Sequence, residues 1–364
     1  MSSEIKTLER DQDVIFGHMT SMGHEQVVFC HDQETGLKAI IAIHSTVLGP
    51  ALGGTRMWNY NTDVEAINDV LRLSRGMTFK ASISGLNLGG GKAVIIGDAK
   101  TQKTDALMQK FGSFVDSLGG RYITAEDVGM TTHDMEMVKM NTNHVTGIPE
   151  SMGGSGNPSP VTAYGVYMGM KAAAKFKWGT DKLAGKKVVV QGIGHVGEVL
   201  VKHLRNEGAE VLVNDISMDR MKEIAEKYQT GIVEGDAVYD AEMDIYAPCA
   251  LGATVNTETL KRLKCAVIAG AANNQLADEE IHGKMVMDKG ILYAPDFLIN
   301  AGGLINVYSE IEGYNREEAL AKTEHIYNTT LEILNLSSGE KITPNEAALR
   351  IAMKRVEDKS KGLI

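Results

Sequence analysis

Lys186–Asp215 reads KKVVVQGIGHVGEVLVKHLRNEGAEVLVND, and its order of apolar run, glycine turn, amphipathic stretch and second apolar run decides the fold. Lys187–Gln191 is apolar enough for a strand buried on both faces. Gly192, Gly194 and Gly197 follow at once as GxGxxG and open a helical pattern over His195–Asn206. With 39 glycines in the chain the bare spacing means little; its place between strand and helix carries the reading. Gly192 admits a tight turn, Gly194 lets backbone approach a pyrophosphate, and Gly197 lets helix and strand pack closely. The free N–H groups of the opening helix favour an anion there. EVLVND ends the next strand on Asp215, where a carboxylate meets adenosine ribose hydroxyls and repels a 2′-phosphate, so the expected cofactor is NAD.

Outward from this stretch the same alternation continues. Apolar runs at Asp244–Tyr246, Ala266–Ala269 and Ile291–Tyr293 supply further strands, and MGGSGNPSP just after Ser151 marks a hinge upstream. Before the hinge, Gln26–His31 and Leu37–His44 form a hairpin through DQETG. From Thr62 the pattern turns helical, with Ala66, Val70, Leu73 and Met77 on one face. KAVIIG (Lys92–Gly97) and RYIT (Arg121–Thr124) read as strands, and Thr104–Leu118 and Thr132–Met140 as helices. Glu317–Val356 reads as helical. The fold class is therefore α/β with two domains: residues 1–147 with a mostly parallel sheet, and a Rossmann domain over 148–334. A C-terminal helix, about 335–364, packs back on the first.

The 364 residues hold 37 basic and 47 acidic side chains, a formal charge of −10, which argues against nucleic acid as the main partner. Aromatics at 5% argue against a stacking platform, and 43% hydrophobic with 23% charged residues excludes a disordered or fibrous chain. MSSEIKTLERDQD lacks a signal-peptide core, and no apolar run reaches the roughly 18–20 residues of a membrane span. Cys30, Cys249 and Cys265 are odd in number and lack CxxC spacing, so they read as buried small hydrophobes. The ten histidines show no metal-ligand spacing. A cytoplasmic protein without a metal is expected.

The densest unusual segment is RGMTFKASISGLNLGGGK, with Lys80 at its sixth position and Lys92 at its last. It is not a P-loop, because Leu86 and Ala93 stand where Gly and Ser or Thr are needed. Two lysines at one pocket divide labour: one grips a carboxylate, while desolvation and a like charge strip the other of its proton. A base near 7–8 needs a shift of about 3 pH units from 10.4. Asp127, after a strand, is a candidate proton partner, although a lone Lys is more often a solvated surface charge.

GPALGGTRMW, RGMTFK, GLNLGGGKAVIIGD, GRYITAEDVG, SGNPSPVTAYGV, DIYAPCALGA, VIAGAANNQL and YAPDFLINAGG, spread over Gln26–Tyr314, resemble the amino-acid dehydrogenases acting on Glu, Leu, Phe and Val, most closely the leucine dehydrogenases. The resemblance implies reversible NAD-dependent oxidative deamination of L-leucine, valine and isoleucine to 2-oxo acids and ammonia. It makes the first domain the substrate-binding and oligomerisation domain of an enzyme that closes over a cleft. By resemblance Lys92 is the catalytic base, Lys80 holds the α-carboxylate, and Asp127 relays protons at the amine. Thr162, Asn273 and Asn274 match positions near the nicotinamide, and Leu52, Gly53, Ala125, Thr146, Leu304 and Val307 match pocket wall.

Glutamate enzymes of this family carry Lys where Leu52 stands, and a buried carboxylate facing Leu is unpaired, so glutamate is disfavoured. Met130 stands where the resembled motif usually has Thr, and His195–Val196–Gly197 differs from the commoner turn. The tail ending KSKGLI is shorter than in familiar members, where it helps build an octamer; a homo-oligomer is expected, octameric by resemblance or dimeric. Valine or phenylalanine specificity, a 2-hydroxy-acid dehydrogenase, and a non-catalytic NAD-binding protein are the rival readings.

Overall fold

Asp32 closes the expected hairpin: its Oδ2 accepts the Thr35 N–H at 2.9 Å and the Thr35 hydroxyl at 2.8 Å. The computed structural model describes residues 14–364. In it a first helix, α1 (Val14–Met22), leads into β1 (Gln26–His31) and β2 (Lys38–Ser45), which pair antiparallel across that turn. Next come β3 (Ala51–Leu52), β4 (Thr55–Trp58), helix α2 (Asp63–Ile83), β5 (Gly89–Ile96), α3 (Asp105–Asp116), β6 (Tyr122–Ile123) and α4 (Thr132–Lys139). The sheet order is β1-β2-β5-β3-β6, with β4 also on β5. β5 runs antiparallel to β2 and parallel to β3 and β4, and β3 runs parallel to β6, so the sheet is mixed with three parallel pairings. The hairpin supplies the antiparallel edge.

The expected stripe on α2 is only half right. Ala66 and Val70 are buried, but Leu73 and Met77 are partly exposed, and the buried face runs on through Ile67, Leu71, Ser74 and Thr78. Two of those residues are polar, which hid the face from a hydrophobic count. They are satisfied by buried histidines: His24 Nε2 lies 2.9 Å from Ser74 Oγ, and His44 Nδ1 lies 2.8 Å from Thr78 Oγ1. α2, with α1 beside it, covers Ile40, Ala42 and Val94 of the sheet.

The remaining elements are α5 (Ser159–Trp178), β7 (Lys187–Gln191), α6 (His195–Glu207), β8 (Glu210–Asn214), α7 (Met218–Tyr228), β9 (Gly231–Ile232), β10 (Ile245–Pro248), α8 (Thr257–Arg262), β11 (Val267–Ile268), α9 (Glu279–Asp288), β12 (Leu292–Tyr293), α10 (Asp296–Ile299), α11 (Gly302–Ile311), α12 (Arg316–Glu340) and α13 (Pro344–Ser360). The six strands are all parallel, in the order β9-β8-β7-β10-β11-β12. Strand order therefore reverses between β7 and β10, the topology of the doubly wound Rossmann fold. α5 has no period to read, because Val161, Ala163, Gly165, Val166, Gly169, Met170 and Ala172–Ala174 are buried around much of its circumference.

The single helical stretch expected over Glu317–Val356 is broken. Lys341 takes φ of +57°, ending α12, and Thr343 caps α13, whose first residue is Pro344.

Two compact units result: the described residues up to Thr78 with Leu88–Val145, and Phe79–Asn87 with Thr146–Ile364. The C-terminal helix, expected to cover the first domain, is bonded to residues 82–87, a stretch that itself groups with the second unit. Ser82 Oγ donates to Ala352 O at 2.7 Å, and Arg355 donates to Leu86 O at 2.7 Å and Asn87 Oδ1 at 3.0 Å.

Candidate active site

Two expected site residues of the first unit, Lys92 and Asp127, meet at β5. Lys92 lies in β5 with its side chain 6% exposed, and its Nζ is 3.1 Å from Asp127 Oδ2. The triple glycine, which lies before the strand expected from Lys92, is the start of this strand. Gly90 lies two residues before Lys92 on the same face, and a Cβ there would fall 2.1 Å from Thr78 N and 2.5 Å from Ser74 O of α2. Only glycine lets the helix lie directly on the strand at this point.

Burial pushes the Lys92 amine below its ordinary range; Asp127 opposes that shift and Arg56 adds to it. Burial acts to raise the Asp127 carboxyl, but the Lys92 and Arg56 cations outweigh it and hold the group below the usual value. Arg56, on β4, was not among the expected residues although it stands in the quoted GPALGGTRMW. Its Nε donates to Asp127 Oδ2 at 2.8 Å and its NH1 to Asp69 Oδ2 at 2.9 Å. An amine easily stripped of its proton, beside a fixed carboxylate, can deprotonate water and pass protons on.

The wall candidates of this unit are close by in sequence and buried. Leu52 ends β3 at 2% exposure, Gly53 follows it, and Ala125 follows β6 at 8%. Gly53 is also held for packing: its carbonyl accepts the Tyr122 hydroxyl at 2.6 Å.

In the second unit, Lys80 in the last turn of α2 donates to Asn300 Oδ1 at 2.7 Å. Asn300 Nδ2 then donates to Asn273 Oδ1 at 2.7 Å and Ala271 O at 3.1 Å. Lys80 and Asn273 are thus joined through a residue that sequence reasoning missed, though it lies in the LINAGG motif. Asn274 takes φ of +51°. That loop is fixed by Asp296, a buried carboxylate accepting the Gln275 N–H at 3.0 Å and the Phe297 N–H at 2.7 Å. Burial pushes the Asp296 carboxyl up, against the pull of the Lys80 charge. Thr162 is in the first turn of α5, its hydroxyl donating to Pro158 O at 3.0 Å. Leu304 (buried) and Val307 (half-buried) lie on α11. Thr146 is buried, and the next residue's N–H donates to Glu310 at 3.0 Å.

The glycine turn follows β7, at the point where strand order reverses. Gly192 takes φ of +93°, and a Cβ on Gly197 would meet Gly192 O at 2.0 Å, so both need glycine. Around Gly194 nothing lies within 4 Å of such a Cβ, which leaves its backbone open to a ligand. Asp215 follows β8; its Oδ2 accepts the Ile193 N–H at 3.0 Å and its Oδ1 the Ser217 N–H at 3.0 Å. The nearby cation Arg220 is already paired with Glu198 and Glu223. The residues present therefore fit a dinucleotide, with backbone N–H groups at the α6 N-terminus for phosphate and a carboxylate at the ribose position.

Among the described residues no group of three or more His, Cys, Asp and Glu is placed to hold a metal ion. No described helix is long and apolar enough to cross a membrane. Cys30 and Cys265 are buried, whereas Cys249, expected buried with them, is partly exposed. It follows the end of β10, at the same crevice as the glycine turn.

Residues 24–144 match the sequence profile described as Glu/Leu/Phe/Val dehydrogenase, dimerisation domain, and residues 153–217 and 213–362 match Glutamate/Leucine/Phenylalanine/Valine dehydrogenase. The chain is 55% identical to a leucine dehydrogenase of Thermoactinomyces intermedius, over 94% of this chain and 93% of that protein. It is 54% identical to a leucine dehydrogenase of Bacillus cereus, with the same coverage. Among solved structures, L-tryptophan dehydrogenase from Nostoc punctiforme superposes with a TM-score of 0.86 at 44% identity, covering 94% of this chain and 98% of that one.

Proposed function

The chain belongs to the Glu/Leu/Phe/Val dehydrogenase family, and from that premise we propose that it oxidatively deaminates L-leucine, with valine and isoleucine, using NAD. The buried Lys92 amine 3.1 Å from Asp127 carries the reading, because the reaction needs a base of lowered basicity beside a proton acceptor.

Lys80 grips the substrate α-carboxylate with its ammonium, and Asn300 aims it. Asp127 accepts a proton from the substrate amine, leaving the nitrogen lone pair free to form an iminium. The bound nicotinamide supplies the hydride acceptor for Cα. Lys92 takes a proton from water, so that hydroxide adds to the iminium carbon; Asp127 then returns its proton to nitrogen, and as the new hydroxyl loses its proton to solvent the C–N bond breaks, releasing ammonia and leaving the 2-oxo acid. Leu52, buried at the end of β3, offers a glutamate carboxylate no partner; Leu304 and Val307, pocket wall by the family resemblance, are apolar as well.

Gly192, Gly194 and Gly197 hold the pyrophosphate, Asp215 the adenosine ribose, and Thr162, Asn273 and Asn274 the nicotinamide end. Asp215 and the committed pairing of Arg220 favour NAD over NADP. The family's name for residues 24–144, a dimerisation domain, supports a homo-oligomer.

Initial rates of reduced-cofactor formation at alkaline pH, with leucine, valine, isoleucine, phenylalanine, tryptophan and glutamate and each of NAD and NADP, test this. Leucine with NAD should give the highest kcat/KM. Preference for an aromatic substrate, or no turnover with any amino acid, would overturn it.

A further inference from the structure

Every side-chain bond to Asp127 among the described residues falls on one oxygen. Oδ2 accepts Arg56 Nε at 2.8 Å and faces Lys92 Nζ at 3.1 Å, while Oδ1 carries none. Arg56 reaches Oδ2 from a fixed origin. Its other arm is on Asp69 of α2 at 2.9 Å, and Asp69 is itself held by the Tyr60 hydroxyl at 2.7 Å and Arg72 at 3.0 Å.

We propose that Arg56 is a positioning residue for this reaction: it clamps Asp127 by Oδ2, directing that oxygen to Lys92 and reserving Oδ1 for the substrate's proton. The inference rests on the reading of Lys92 and Asp127 given above. The two oxygens of a carboxylate are interchangeable by a half-turn, so what a partner sets is the angle of the carboxylate plane, and a single partner free to move sets it loosely. A planar guanidinium anchored at its far arm on Asp69 fixes that plane, because a partial turn of Asp127 would stretch a bond whose other end is held. Lysine, whose ammonium turns freely on a flexible stem, lacks the rigid planar fork that holds both carboxylates at one fixed angle.

The clamp is also electrostatic. The charged groups facing Lys92 are Asp127 after β6, Arg56 on β4 and Asp69 on α2, with Tyr60 and Arg72 behind Asp69. Removing Arg56 leaves two carboxylates facing Lys92, so the amine holds its proton to higher pH.

The test is Arg56→Gln and Arg56→Lys, measured as pH profiles of kcat for leucine oxidation, NADH binding and urea unfolding. In Arg56→Gln the acidic limb of kcat should move up by about half a pH unit or more, with NADH affinity unchanged. Arg56→Lys should return the limb to its parental position yet keep kcat about tenfold low, since charge is restored without the two-point grip. A merely structural Arg56 lowers the unfolding midpoint and leaves the limb in place, which would overturn the proposal. If Arg56→Gln does not fold, Arg56→Lys decides: parental kcat refutes the clamp. Lys92→Met separates the two readings. Inactive Lys92→Met with an unmoved Arg56→Gln profile sinks the clamp alone, and active Lys92→Met sinks both.

Discussion

Replacing Lys92 with Met should cost activity without costing the fold. Truncating one partner of a buried ion pair usually destabilises by about 3–5 kcal/mol, because the other charge is left uncompensated. Here Asp127 keeps Arg56 at 2.8 Å, so its charge stays paired after the change. Methionine fills nearly the same volume, and the desolvation of an amine 6% exposed disappears. The unfolding free energy should therefore stay within about 1 kcal/mol of the parent. A general base contributes about 10²–10⁴ in rate, so the activation barrier should rise by roughly 3–5 kcal/mol. Steady-state NADH formation from leucine gives kcat, urea titration gives stability, and NADH fluorescence gives cofactor affinity. Two results refute the reasoning: kcat within tenfold of the parent, or a stability loss above about 3 kcal/mol with kcat falling only as the folded fraction falls.

Lys80→Met should raise KM for leucine about 10- to 100-fold, the worth of one charged hydrogen bond, while NADH affinity holds; unchanged KM would remove Lys80 from carboxylate binding. Gly90→Ala should destabilise by roughly 1–3 kcal/mol or more in urea, since its Cβ would lie 2.1 Å from the Thr78 nitrogen, and an unchanged midpoint would mean α2 does not press on β5. Burial pushes the His44 imidazole from 6.5 to about 4, so its stabilising contribution is complete above pH 6.5 and is lost as pH falls through about 4. That gap corresponds to at most about 3 kcal/mol. Calorimetry between pH 7 and 4 should show a steeper loss in the parent than in His44→Gln, and parallel curves would contradict it.

The β7–α6–β8 unit was legible because each of its constraints is local: a strand, a turn only glycine can make, and a helix on its heels. Lys92 and Asp127 were legible as residue types beside strands, and the quoted motifs gave them roles. Arg56 and Asn300 were not, because what makes them matter is partners far along the chain, Asp69 and Asp127 for one, Lys80 and Asn273 for the other. The polar half of the α2 face escaped for a related reason: Ser74 and Thr78 are core residues only because His24 and His44 satisfy them. α5 offered no contrast between faces, and the glycines of β5 fell outside the strand expected from Lys92 because a run without side chains carries no strand propensity.

The reversal of strand order has a bearing on biosynthesis. β7 pairs early with β8, but its other neighbour, β10, leaves the ribosome only after α7 and β9 have been made. Ala250, which closes in on Gly192, comes later still. A nascent chain halted before that point already carries the whole glycine signature yet owns one bank of the nucleotide crevice, so capture of the cofactor has to wait for the second bank to be translated.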